Sequence, residues 1–343
     1  MRKSIFFIFL LSVLHSSLLV SSVDVFLAPI TKDNSTNLYS LSVYLKTPLQ
    51  VTNLHLDLGG SISWVDCSRR YKSSSYQHLL YNTSLCESLY GKCFKKPAPG
   101  CFNDSCDYFC ENSVTRNVFI GNILLDSLAL SSADGRNPSR LKVIKDFIFA
   151  CSDTKILRGL PNGATGVAAL GRFNYSLPFQ LSRAGSSSAV FAVCLPSSAA
   201  AGNGVAFFNS LGPYNFLPGI DVSKSLIYTP LLLNPVVGTV IFYTRPSDEY
   251  FIGVSSIKIN GKSVSLNQTL LKIDMETGYG GTKITNGNVQ GGNGEVCGGS
   301  GGDEFDGDNS GEAIRGVFSG EGEGEGEGEG DCIHARWTGS AHC

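Results

Sequence analysis

Between Val23 and Ile284 the apolar positions fall into short runs that alternate with polar residues or are rich in β-branched ones. A period of two puts every second side chain on one face, so these runs predict strands. They cover Tyr39–Tyr44, Thr52–Leu56, Ser61–Val65, Val118–Leu130, Val143–Ala150, Val190–Cys194, Val205–Phe208, Val236–Tyr243 and Glu249–Ile259. Gly, Pro, Asn and Ser separate them, and Asn260-Gly261 is a hairpin-type dipeptide. A 3.6-residue period is rare; Leu177–Ala184 predicts a short helix. Many short strands with frequent turn signals predict an all-β architecture, a sandwich or barrel.

The two ends break this pattern. Met1–Ser22 opens on Arg2 and Lys3, continues as a short apolar run and closes on small residues, which predicts a secretory signal peptide. The run is too short to span ~30 Å of hydrocarbon, and His15-Ser16-Ser17 interrupts it. The expectation is a secreted protein without a membrane anchor. Residues 285–343 hold 18 of the 39 glycines, including Glu-Gly five times over from Glu321 to Gly330. So little apolar surface cannot offset the entropy of ordering. The segment reads as a flexible acidic tail or as the product of a disrupted reading frame.

Composition sharpens the division. The chain of 343 residues carries a formal charge of −2, with 27 basic and 29 acidic side chains. Residues 285–343 contain 12 acidic residues against Arg315 and Arg336, which leaves 25 basic and 17 acidic residues elsewhere. The body is therefore basic, a property that bears on partners and solubility rather than on fold. Its cysteines, Cys67, Cys86, Cys93, Cys101, Cys106, Cys110, Cys151 and Cys194, lack the CxxC pairs of a zinc site and read as disulfide candidates in an oxidising compartment. Asn34, Asn82, Asn103, Asn174 and Asn267 head glycosylation sequons. His55 and His78 have no nucleophile context and read as surface or cleft-wall residues. Lys92, Lys95 and Lys96 read as a solvated basic patch rather than a nucleic-acid site, and glycine-rich 291–302 lacks the Gly-Lys-Ser/Thr of a phosphate loop.

Chemistry concentrates in His55-Leu-Asp57-Leu-Gly-Gly-Ser-Ile-Ser-Trp64-Val-Asp-Cys67. Alone, Asp-x-Gly-Gly is a strand–turn–strand whose carboxylate accepts backbone hydrogen bonds. Its sharper reading is one half of a carboxylate dyad that shares a proton and activates water. Thr165-Gly-Val-Ala-Ala-Leu-Gly-Arg172, Phe191-Ala-Val-Cys-Leu195, Tyr71-Lys-Ser-Ser-Ser-Tyr76, Pro99-Gly-Cys101 and Gly280-Gly-Thr-Lys-Ile284 add context. With these the chain resembles the plant pepsin-like (A1) aspartic proteases, in the branch of xylanase inhibitors, extracellular dermal glycoproteins and basic globulins.

The resemblance implies two β-rich lobes with a cleft between them, each lobe giving one aspartate. Here it implies a complete first lobe over residues 23–225, a partial second lobe over 226–284 and a Gly/Glu-rich tail over 285–343. Asp57 stands at the first aspartate, with Leu58 in place of the supporting Thr or Ser. Thr285 stands where the second aspartate belongs, and Asn112-Ser-Val-Thr115 replaces the Tyr-Gly of the mobile flap. A hydroxyl uncharged at pH 5–7 cannot be the base partner of a carboxylic acid. Tyr81 and Tyr90 fall at expected cysteines, Cys110 is extra, and the expected partner of Cys194 belongs to second-lobe sequence that the tail replaces. The implied protein is an inactive protease homologue of the plant cell wall needing no cofactor or metal. Its implied partner is an extracellular protein such as a glycoside hydrolase, microbial xylanase being the family target, or a wall polysaccharide. The alternatives are an aspartic endopeptidase and a non-functional truncated product.

Overall fold

A computed structural model describes residues 24–68, 71–93, 104–133, 138–196, 202–215, 219–236, 245–259 and 267–285, with short stretches at 262–263, 265, 296–297 and 330–336. The protein is built almost wholly of strands. The first is β1 (Val25–Lys32), in which Phe26, Ala28 and Ile30 alternate inward. β2 (Tyr39–Leu45), β3 (Gln50–Asp57), β4 (Trp64–Asp66) and β5 (Gln77–His78) follow. β6 (Asp107–Asn112), β7 (Asn117–Ala133) and β8 (Pro138–Ser152) form a long meander. β9 (Gly166–Ala169), β10 (Val190–Pro196) and β11 (Gly204–Phe208) complete the first-lobe strands.

These strands lie in one 12-stranded sheet that folds back on itself, since β7 also pairs with β1 and β2. The twelfth strand comes from far along the chain. Beyond β12 (Leu231–Leu232), β13 (Tyr250–Ile252), β14 (Lys258–Ile259), β15 (Lys262–Ser263), β16 (Thr282–Thr285) and β17 (Val296–Cys297), strand β18 (Gly330–Arg336) runs antiparallel to β10. β12, β13, β16 and β17 make a separate small sheet.

Inside the folded sheet one apolar cluster joins Phe26, Leu41, Leu54, Leu56, Phe149, Leu177, Leu181, Phe191, Phe208 and Tyr250. A second joins Ile62, Trp64, Cys86, Leu89, Cys106, Ile123, Ile156, Val167 and Phe173. The helix Leu177–Ala184 forms as expected, with Pro178 in its first turn and Gly185 after its end. Its Gln180 is buried and repairs the adjacent strand: the amide nitrogen donates to the Ile148 carbonyl and the amide oxygen accepts from the Ile148 N–H.

The strand expectations hold where the alternation is long. Val236–Tyr243 lies almost wholly outside the described residues, and Glu249–Ile259 resolves into β13 and β14. β1, β5, β6 and the one-and-a-half-turn helix Ser84–Ser88 carry too weak a pattern to be read in advance. The segment 285–343 contributes β17 and β18 although its composition argues for disorder; β18 includes the locally apolar Cys-Ile-His-Ala.

The cysteines pair in part as expected. Cys67 bridges Cys151 and Cys86 bridges Cys106, while Cys93 and Cys194 are also disulfide-bonded; Cys101 lies outside the described residues. Cys110 is a correction: it is a free, buried thiol. It sits opposite Phe119 in the β6–β7 register and packs into the second cluster, where burial pushes the thiol up to about 12 and keeps it inert.

His55 is a second correction. It is buried, with Nδ1 3.1 Å from the Tyr39 carbonyl, and burial holds its pKa below the ordinary value against the pull of Asp57. Its strand position faces the core because β3 is covered on both sides near its end. His78 is exposed as expected, its ring edge-on to Tyr76.

Where the chain leaves the first lobe, the connection is apolar and uncovered: Ile227 is 90% and Tyr228 71% exposed, and Leu233 is exposed beyond β12. An apolar strip beside a short edge strand is an aggregation liability. Among the described residues no helix is long and apolar enough to cross a membrane.

Candidate functional site

Asp57 closes β3, and the turn after it is held from behind by β9. Asp57 pairs in parallel with Ala169, Leu170 N–H donates to the Asp57 carbonyl, and Gly171 N–H donates to the Gly60 carbonyl, both at 2.8 Å. Gly171 permits this approach: a Cβ there would lie 2.6 Å from the Gly60 carbonyl and 2.9 Å from that of Gly59. The Asp57 side chain accepts from the Gly59 N–H at 2.9 Å. Leu58, where the resemblance implies a hydroxyl, is buried in the first apolar cluster. The turn is thus anchored by packing on one side and backbone hydrogen bonds on the other.

The motifs around it prove architectural. Trp64 Nε1 donates to the Glu111 carbonyl at 2.9 Å, Asp66 accepts from Thr154 and from Ser68 N–H, and Cys67 bridges to β8. In Tyr71-Lys-Ser-Ser-Ser-Tyr76, Tyr71, Ser73 and Ser75 all donate to the buried Asp126 carboxylate, at 2.8, 3.0 and 2.5 Å. The hairpin tip at 113–116 is pinned as well. Asn112 accepts from Val114 and Thr115 N–H, and its amide donates to the Ile156 and Arg158 carbonyls. Such a tip cannot swing as a free flap does.

The second-lobe segment docks through Arg245. Its guanidinium grips both oxygens of Asp248, each at 2.7 Å, and donates to Ser61 Oγ at 3.0 Å. Ser61 in turn donates to Asp248 at 2.5 Å. The guanidinium lies 4.6 Å from the Phe173 ring centroid and 5.5 Å from that of Tyr90. Burial alone would lower the Arg245 pKa, but the Asp248 carboxylate outweighs it and the net direction is up. Arg172 N–H donates to the Asp248 carbonyl, Arg172 Nη2 to that of Ser247, and Tyr250 Oη to that of Leu170.

This docking brings Glu249 beside Asp57. A Cβ built on Gly59 would lie 3.0 Å from Glu249 Cγ and 3.7 Å from Asp57 Oδ1, so both side chains flank one glycine. Glu249 is committed elsewhere: its Oε1 is 2.7 Å from Lys283 Nζ and its Oε2 accepts from Ser247. Lys283 belongs to β16, which ends on Thr285. Glu111 is the third carboxylate. Burial raises its pKa, Asp57 and Glu249 add to the rise, and Arg116 and Lys283 oppose it. Sequence reading missed Glu111, Arg245, Asp248 and Glu249, because no local motif marks them and only the docking of the two lobes assembles them.

A proton-sharing dyad needs two carboxylates in contact with no other counter-charge between them. Here the neighbour of Asp57 is neutralised by an ammonium, and Thr285, which the resemblance puts at the second position, ends the strand that carries that ammonium. Among the described residues no group of His, Cys, Asp and Glu is arranged to hold a metal ion. The arrangement is an ion-paired, latched cleft.

The Glu111 carboxyl gives a pH prediction. Its folded pKa is raised, so the folded state binds that proton more tightly than the unfolded state. The charged form therefore costs stability, and the cost appears as pH rises from the ordinary Glu value of about 4.3 through the raised one. Glu111→Gln is expected to raise Tm at pH 7, with the gain closing towards pH 4. Thermal melts at both pH values check it, and a gain independent of pH would defeat it.

Comparisons with known proteins bear on the family and the fold. Residues 39–210 match the family described as Xylanase inhibitor N-terminal, and residues 249–289 match Xylanase inhibitor C-terminal. The chain is 45% identical over 264 residues to a probable aspartic proteinase GIP2 of Nicotiana benthamiana, covering 75% of this chain and 60% of that protein. It is 34% identical over 262 residues to gamma conglutin 1 of Prunus dulcis, covering 75% and 56%. Among solved structures, edgp superposes with a TM-score of 0.69 at 44% identity, over 76% of this chain and 64% of that one. The chain thus spans a little over half the length of the curated relatives it matches. Relatives named as proteinases and relatives named as globulins stand side by side. With a mostly β structure and neighbours of pepsin-like fold, this chain belongs to the xylanase-inhibitor family of pepsin-like aspartic-protease homologues.

Proposed function

We propose that this chain is a secreted, catalytically inactive pepsin-like protein that binds an extracellular protein partner in the plant cell wall. The observation that carries the reading is the state of the cleft: Asp57 faces a Glu249–Lys283 ion pair, with Thr285 at the second family position. The family description favours a glycoside hydrolase as the partner class, with a wall polysaccharide as the alternative. The residues 1–22 expected to direct secretion lie outside the described part of the structure, as does Asn103. The other sequon asparagines, Asn34, Asn82, Asn174 and Asn267, are all exposed and open to glycosylation.

Incubation of the purified full chain with an unfolded protein at acid pH is expected to give no cleavage, and pepstatin and Asp57→Asn no effect. Pepstatin-sensitive cleavage lost in Asp57→Asn would overturn the reading in favour of an aspartic endopeptidase, the activity that the names of two relatives suggest. Titration of the chain into a microbial xylanase assay, beside a pull-down on insoluble wall polysaccharide, separates the two partner classes.

A further inference from the structure

We infer that the outer face of the first-lobe sheet is a docking surface for a second copy of this chain. The registers line up one row of apolar side chains across four strands: Val143 on β8, Ala129 on β7, Tyr44 on β2 and Val51 on β3. Two residues further along β7 and β8, a second row runs Leu141, Ser131, Leu27 and Phe207 across β8, β7, β1 and β11. Both rows face away from the core, because the residues that alternate with them face into it. Val43, Leu45, Leu128, Leu130, Phe26 and Phe208 all belong to the first apolar cluster.

An antiparallel sheet with one face in water normally carries polar residues on that face. This one does not. Val51 is 63%, Val143 47% and Leu141 38% exposed, whereas Ala129, between Tyr44 and Val143, is fully covered. Pro29 and Leu49 are exposed at the margins of the same face. The open apolar area is about 400–500 Å², a patch size that is often functional. With its polar rim the face approaches the roughly 800 Å² that each partner of a standard-size complex buries.

Charge and side-chain size select a second copy as the occupant. The cations stand beyond one edge of the first row, Lys46 just past β2 and Lys145 on β8 two residues from Val143. A two-fold axis lying between the rows and along them sets the lysine edges of the two copies at opposite ends, where they do not repel. The same axis lays each row on the other row of its mate. Val143 then meets Leu141, Tyr44 meets Leu27 and Val51 meets Phe207, while the small Ala129 and Ser131 meet between them. The strands of the two sheets run aligned, a preferred arrangement for sheets packed face to face. Such a contact is isologous, so it closes as a dimer.

The test is sedimentation velocity over a concentration series, on the full chain purified from a secretory host. A monomer–dimer equilibrium is expected. Val51→Asp and Val143→Asp put a carboxylate into the contact at positions that are exposed in the monomer. Each should weaken dimerisation by at least about tenfold and leave the Tm of the monomer unchanged. Ile227→Asp is the control, at an exposed apolar residue on the connection between the lobes, and should leave the dimer intact. A chain that stays monomeric throughout, open-ended oligomers, or a dimer that Ile227→Asp dissociates and Val51→Asp does not would each overturn the inference.

Discussion

Arg245→Ala is expected to lower Tm by roughly ten degrees and to free the second-lobe segment from the first lobe. The guanidinium and the Asp248 carboxylate are only 16% and 9% exposed, so removing one leaves the other buried without its counter-charge. Breaking such a pair costs about 3–5 kcal/mol, and a domain of this size loses a few degrees per kcal/mol. The stacking on Phe173 and Tyr90 and the hydrogen bond to Ser61 go with it. Limited proteolysis should then cut around 219–236, where Ile227 and Tyr228 are already exposed. Arg245→Lys keeps the charge but loses the two-pronged grip and should fall between. A Tm for Arg245→Ala within a degree or two of the wild type would show that the latch does not hold the lobes.

Gly166→Ala is expected to abolish soluble expression or to cost more than about 4 kcal/mol. An added Cβ would lie 2.0 Å from the Trp64 carbonyl oxygen and 2.8 Å from Val65 Cα, both backbone atoms of the strand paired with β9. Nothing can relieve the clash without separating β4 from β9, and β9 is the strand that supports the Asp57 turn. Gly163→Ala is the control three residues away. It has nothing within 4 Å and only a φ of +79° to penalise it, so its cost should be about 1–2 kcal/mol. Equal, small losses at both positions in chemical denaturation would refute the steric argument.

Together with the Glu249–Lys283 pair, the latch fixes the surroundings of Asp57, with an ion pair beside its turn and a docked segment across it. The turn that carries Asp57 is held by packing on one side and backbone hydrogen bonds on the other. What remains of the cleft is a charged surface between two docked segments.

Much of this was legible in the residues. Alternation marked the long strands β2, β3, β7 and β8, where one face is more buried than the other, a continuous apolar run marked β10, and Pro178 with Gly185 marked the ends of the second helix. The identity of Thr285 and the Leu58 substitution stood in the sequence because each concerns what one side chain can or cannot do. Burial of His55 did not, since a histidine in a strand pattern faces solvent unless a second layer covers it. Nor did the pairing state of Cys110, which depends on which cysteines the sheet brings within reach. The sequence by itself determined the long strands and offered Asp57 and Thr285 as the candidates for the two family positions. Only the tertiary structure decided that Glu249, Lys283 and Glu111 gather around Asp57, and that Arg245 docks their segment there. The reason is physical: local pattern encodes which face of each strand is buried, whereas charge pairs and bridges form between residues that only the folded sheet makes neighbours.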